Sequence, residues 1–161
     1  MSKEAAAKEI LDHADGLHSA AIRLLRAVRH VDQQSGLSPA RLSALSVLVF
    51  AGPLPVGRLA AAEGVRSPTM TGIVNGLVDD GLAERRPAAG DLRSVEVAVT
   101  GKGRRLFNAA RRRRVEAVAG LIGDLPGTDL ETLEHASAVL RRLLEERKTN
   151  ARSTWARSAR A

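Results

Sequence analysis

The chain has no cysteine and no tyrosine, and aromatic residues make up only 2% of its 161 positions. Without cysteine there is no disulfide scaffold, no thiol-oxidation switch and no cysteine-built zinc site. The four histidines, His13, His18, His30 and His135, stand apart without metal-ligand spacing, so no metal site is expected. No Ser/His/Asp set, carboxylate pair or glycine-rich phosphate loop is present, which argues against an enzyme and against a cofactor. The longest apolar run, near Leu42 to Val56, is broken by Gly52, Pro53 and Pro55 and is too short to span a bilayer. The N-terminus carries Glu4 and Glu9 and lacks the apolar centre of a secretory signal. A cytoplasmic protein without a membrane partner is the expectation.

What is present is helix-forming and basic. Hydrophobic residues reach 44%, mostly Ala, Leu and Val, enough for a core of closely packed helices. The formal net charge is +7 and the sequence pI about 11.1. Such a charge suits a polyanion partner, and it also suits a merely solvated surface. Ile10, Ala14, Leu17, Ala21, Leu24, Val28 and Val31 step by three and four, predicting a helix over 4–33 with a coiled-coil-like seam. Ser38-Pro39 opens a second, largely apolar helix to about Ala51, and Gly52 to Pro55 reads as a turn. A short helix from Val56 to Glu63 follows. Further helices are expected from Thr100 to about Gly123 and from Thr128 to about Lys148. Residues 149–161 hold Arg152, Arg157 and Arg160 without acids and read as a disordered tail. Trp155 within it has no reading.

The centre of the chain is the most informative part. Ser67 reads as an N-cap and Pro68 as a first helical residue. Ile73, Val74, Leu77 and Val78 recur at helical spacing, and Gly81 breaks the run. The exposed face then offers Thr69, Thr71 and Asn75, short groups suited to base edges in a DNA major groove. Two short helices joined by a tight turn form a helix-turn-helix. Ala83 to Arg86, a loop with Pro87 and Gly90, and the alternating Val95, Val97 and Val99 read as a hairpin with one buried face. Arg66, Arg85 and Arg86 read as phosphate contacts or as plain surface charge. Arg111 to Arg114 cannot all face one way on a helix, so part of the run should neutralise acids. Phe50 and Phe107 are assigned to the core. The terminal helices have no intrachain partner long enough to cover their stripes, and a symmetric dimer would cover both.

This block resembles the winged-helix regulators of the MarR family. The resemblance rests on Leu59-Ala60, Ser67 to Thr71, Leu77 to Leu82, and Asp91-Leu92-Arg93-Ser94 with Val95, Val97, Val99, Thr100 and Gly103. It spans about residues 10 to 146. It implies a mainly α fold with a small β-hairpin wing. A winged helix-turn-helix at 37–103 would be joined to a dimerisation lobe of residues 1–36 and 104–148. It also implies a homodimeric, sequence-specific regulator, usually a repressor, on a pseudo-palindromic operator in double-stranded DNA. The DNA-binding residues would be Arg66, Ser67, Thr69, Met70, Thr71, Asn75, Arg85, Arg86, Asp91 and Arg93. Arg93 would reach the minor groove, and Asp91 would orient nearby arginines. A small aromatic or anionic effector would release DNA from a site including Arg23, Arg26, Leu45 and Val49. Two features depart from the family pattern: Val99 stands before Thr100 where leucine is usual, and Gly72 and Gly76 lie inside the recognition helix. The rival reading from another class is a sequence-tolerant architectural DNA binder.

Overall fold

The computed structural model describes residues 3–33, 36–88 and 91–158. The chain order is α1 (Lys3–Gln33), α2 (Pro39–Ala51), α3 (Val56–Glu63), α4 (Ser67–Asp79), β1 (Ala83–Ala88), β2 (Asp91–Val99), α5 (Gly101–Ile122) and α6 (Gly127–Ser158). The fold is mainly helical with one antiparallel hairpin, as the sequence leads one to expect. The chain forms two compact units, residues 1–118 and 119–161, so α5 contributes to both.

The core of the first unit lies where α2, α3 and α4 meet. Leu45, Leu48, Leu59, Met70, Val74 and Leu77 are all fully buried there. Leu82 and Val97 of the ribbon region and Phe107 of α5 close it. Each such side chain contributes about 1.5–3 kcal/mol by leaving water. Local signals set the element ends. Ser38 Oγ accepts from Arg41 N at 3.4 Å, with Pro39 in the first turn of α2. Gly64 takes the left-handed conformation at φ 64°, which ends α3 and lets Val65 N donate back to Ala60 O at 3.0 Å. Gly81, at φ 68°, does the same service after α4.

Three expectations need correction. Gly52 to Pro55 is more than a turn, because Leu54 bridges Val97 as a one-residue third strand. Leu54 N donates to Val97 O at 3.1 Å, and Val97 N returns a bond to Leu54 O at 2.8 Å. The flanking prolines have no N–H, so this ladder cannot lengthen and carries no alternation to read. The hairpin face is also buried unevenly: Val97 is inside, Val99 half-buried and Val95 53% exposed, because the ribbon runs out beyond the core. Finally, α6 continues to Ser158 rather than ending near Lys148. Residues 149–158 hold no glycine or proline to stop it, and Ala151, Arg152, Ala156 and Arg157 favour helix.

Candidate nucleic-acid interface

The recognition helix α4 starts one residue earlier than its capping pattern suggests. Arg66, extended at φ −73° and ψ 148°, is the N-cap residue, without a side-chain capping bond. Ser67 is therefore the first helical residue rather than the cap. Its carbonyl accepts from Thr71 Oγ1 at 2.9 Å. Met70 is not on the outer face: it is fully buried with Val74 and Leu77. These three define the inward stripe, and Thr69, Thr71, Gly72 and Asn75 lie on the exposed remainder of the helix.

The two glycines inside α4 answer different demands. An added Cβ at Gly72 would meet nothing within 4 Å, so nothing in the chain requires glycine there. At Gly76 the same atom would collide with the Arg41 guanidinium. Arg41 lies across Gly76 and pairs with Asp80, Nη1 to Oδ2, at 2.9 Å. The pair is partly exposed and contributes little by charge alone, at most about 1 kcal/mol. Its geometric effect is larger, because it ties α2 to the far end of α4. Lys102 Nζ donates to Asp80 O at 2.7 Å and ties α5 to the same corner. The sequence reading missed Arg41 and Lys102. The available signal was a lone arginine early in an otherwise apolar helix.

The ribbon is joined to this scaffold through Thr100. Its N–H donates to Leu82 O at 3.0 Å, its hydroxyl donates to Gly81 O at 2.8 Å, and it accepts from Gly103 N at 3.1 Å. Thr100 thus caps α5, as its position predicts. In the hairpin register Arg85 lies opposite Val97 and Arg86 opposite Glu96. Both arginines are exposed, and Arg85 Nη2 donates to Asn75 Oδ1 at 2.6 Å. This bond brings two of the expected contact residues together. The backbone of β2 places Asp91 and Arg93 at the far end of the ribbon, and their side chains lie outside the described ones.

A cavity of about 400 Å³ opens within the first unit. Its walls include Leu24, Leu25 and Val28 of α1, Phe50 of α2, and Phe107 of α5, with Arg111 and Arg114 supplying charge. The expected ligand residues are placed elsewhere. Leu45 is fully buried in the core, Val49 packs half-buried against that core, and Arg23 and Arg26 are exposed and do not line the cavity. Phe50 is not a core residue: it is 72% exposed and meets buried Phe107 edge to face, with centroids 5.6 Å apart. In the arginine run, Arg112 pairs within its own helix with Glu116 at 3.6 Å. Arg111 and Arg114 turn to the cavity instead.

A helix-turn-helix with a ribbon beside an exposed polar recognition helix defines a winged-helix DNA-binding protein. The profile of the MarR family matches residues 35–94. An uncharacterised HTH-type transcriptional regulator of Mycobacterium leprae is 36% identical over 133 residues, covering 83% of this chain and 93% of the relative. An HTH-type transcriptional regulator of Mycobacterium tuberculosis matches to the same extent, 36% over 133 residues. Among solved structures, a MarR family protein from Bacillus stearothermophilus superposes with a TM-score of 0.73 at 20% identity, covering 86% of this chain and 97% of that one. Ligand-free Escherichia coli MarR gives 0.66 at 20% identity, covering 81% and 96%. At this identity these two structures speak for the fold alone. The chain belongs to the MarR family and is a DNA-binding transcriptional regulator. Among the described residues no helix is long and apolar enough to cross a membrane.

Proposed function

We propose that the protein is a cytoplasmic, homodimeric repressor that binds a pseudo-palindromic operator and is released by a small anionic aromatic ligand. The observation that carries the DNA reading is the exposed row of short polar groups on α4, flanked by Arg66 and Arg85. Its two half-sites would lie roughly one helical turn apart, about 10–10.5 bp. Selecting bound fragments from genomic DNA, then comparing the selected site with competitor DNA at physiological salt, tests this reading. Equal binding to both would identify an architectural protein instead.

Arg93 supplies the wing's contact. A cationic side chain at the end of a ribbon gains from the negative potential of a narrow minor groove. Arg93→Ala is expected to weaken operator binding about tenfold or more while leaving the melting temperature and the dimer nearly unchanged. Unaltered affinity at fixed salt removes Arg93 from the interface.

The ligand site is the cavity rather than the surface near Arg23 and Arg26. Its volume and apolar walls suit a small ring, and Arg111 offers a carboxylate partner. The ligand releases DNA by binding more tightly to a DNA-incompetent arrangement of the two recognition helices. Titrating aromatic carboxylates into the protein–operator complex should dissociate it. Arg111→Ala should then raise the concentration needed by about tenfold or more, the loss of one charge-assisted hydrogen bond. Insensitivity to every such ligand would mark a constitutive binder.

A further inference from the structure

The bond between Arg85 and Asn75 constrains what the recognition helix can read. A guanidinium carries donors only, so the atom of Asn75 that faces it must be the carbonyl oxygen. That oxygen lies 2.6 Å from Arg85 Nη2, a short charge-assisted contact. The register explains how Arg85 reaches it. Arg85 pairs with Val97, which is fully buried, so both project from the face of the ribbon turned toward the helices. With Oδ1 held, the Asn75 NH2 group has no acceptor among the described residues.

We infer that Arg85 is a specificity-determining positioning residue: it fixes the Asn75 amide with its oxygen shared with a cation and its NH2 group as the stronger reader, so that the half-site position beneath Asn75 favours a guanine or thymine acceptor over adenine. The inference rests on the operator-binding reading above. A free asparagine recognises adenine with both ends of its amide, accepting from N6 and donating to N7. In Asn75 one lone pair of Oδ1 is already taken by the Arg85 guanidinium, so adenine keeps a bond at N7 but its N6 amino group has to share that oxygen with a cation. Guanine presents O6 and N7 and thymine presents O4, all acceptors that an outward NH2 can satisfy. A phosphate oxygen offers the same chemistry without sequence information, and the experiment separates the two sources.

The test is selection from a randomised operator library at one fixed salt concentration, using the full chain and four variants. The wild type should show a position in each half-site where guanine or thymine is preferred about tenfold over adenine. Asn75→Ala should flatten that position alone. Arg85→Lys, still a donor without an acceptor, should retain the preference. Arg85→Ala frees the amide to turn and should admit adenine. Arg85→Gln, which can face either end of the amide, should admit it too and serves if Arg85→Ala melts early. Adenine at the Asn75-dependent position of the wild type overturns the inference. So does a guanine or thymine preference that survives both Arg85→Ala and Arg85→Gln. A uniform loss of affinity in Asn75→Ala, with every base preference kept, overturns it in favour of a phosphate contact. A wild type that selects some sequence but fails these comparisons leaves the operator reading intact. One that selects no common sequence overturns both.

Discussion

Ile10→Asp combined with Leu17→Asp is expected to give a folded monomer that no longer holds operator DNA. Ile10 is 68% exposed and Leu17 52% exposed, one heptad apart on α1. Leu24, the next member of the seam, is 44% exposed, and only at Val28 and Val31 does the stripe reach the core. The first half of α1 is therefore apolar without contributing to the packing of α2, α3 and α4. α6 shows the same condition, with Leu133, Leu143 and Leu144 exposed. On the proposed reading, a second copy of the chain covers these stripes, as binding to a symmetric operator would require. Aspartate at both positions would place four carboxylates in an apolar dimer seam, where unpaired charge is strongly disfavoured. The core loses nothing, so helix content and melting of the winged helix should persist. Losing the linkage between two half-sites should cost about a hundredfold or more in DNA affinity. Sedimentation and fluorescence anisotropy on the same sample check both halves. A variant that remains dimeric and binds fully would place the dimer contact elsewhere.

The parts of the fold that were legible in the sequence are those fixed by short-range chemistry. Gly64 and Gly81 end helices because they alone accept a positive φ at little cost, and Thr100 caps α5 because its hydroxyl is the local acceptor. Two misreadings were local, and two features depended on neighbours distant in the chain. Ser67 looks like a cap, but α4 begins one residue earlier and leaves the Ser67 carbonyl to Thr71. Met70 sits four residues before Val74 and seven before Leu77, so the period itself places it inward. It entered the expected contacts because the family resemblance was carried over the block Ser67 to Asn75 as a whole. Phe50 follows a run of buried residues, yet its ring turns out to the cavity, where Phe107 meets it from α5. No window of sequence around Phe50 contains that partner. Arg41 and Asp80 are likewise 39 residues apart, and the glycine that admits the arginine is explained only by their pairing.

Two alanine substitutions should move stability in opposite directions and DNA binding in the same one. At Gly103 an added Cβ would collide with the Leu82 carbonyl oxygen, and backbone cannot swing aside as a long side chain can. That oxygen also accepts from Thr100 N at 3.0 Å, in the joint that aims the ribbon. Gly103→Ala should therefore destabilise the protein by about 1–3 kcal/mol, a fall of several degrees in melting temperature. It should also weaken operator binding by displacing the wing. At Gly72 the new methyl meets nothing within 4 Å, and alanine is the better helix former by about 1 kcal/mol. Gly72→Ala should raise the melting temperature by about 2–4 °C. Yet Gly72 lies on the helix face away from buried Met70, Val74 and Leu77 and beside exposed Asn75. If that face rests on base edges, the methyl group stands where DNA must approach. A variant that is more stable and binds operator about tenfold less tightly is the expected result. Calorimetry and anisotropy on both variants decide it. A more stable Gly72→Ala protein with undiminished affinity would show that α4 meets DNA along a different face.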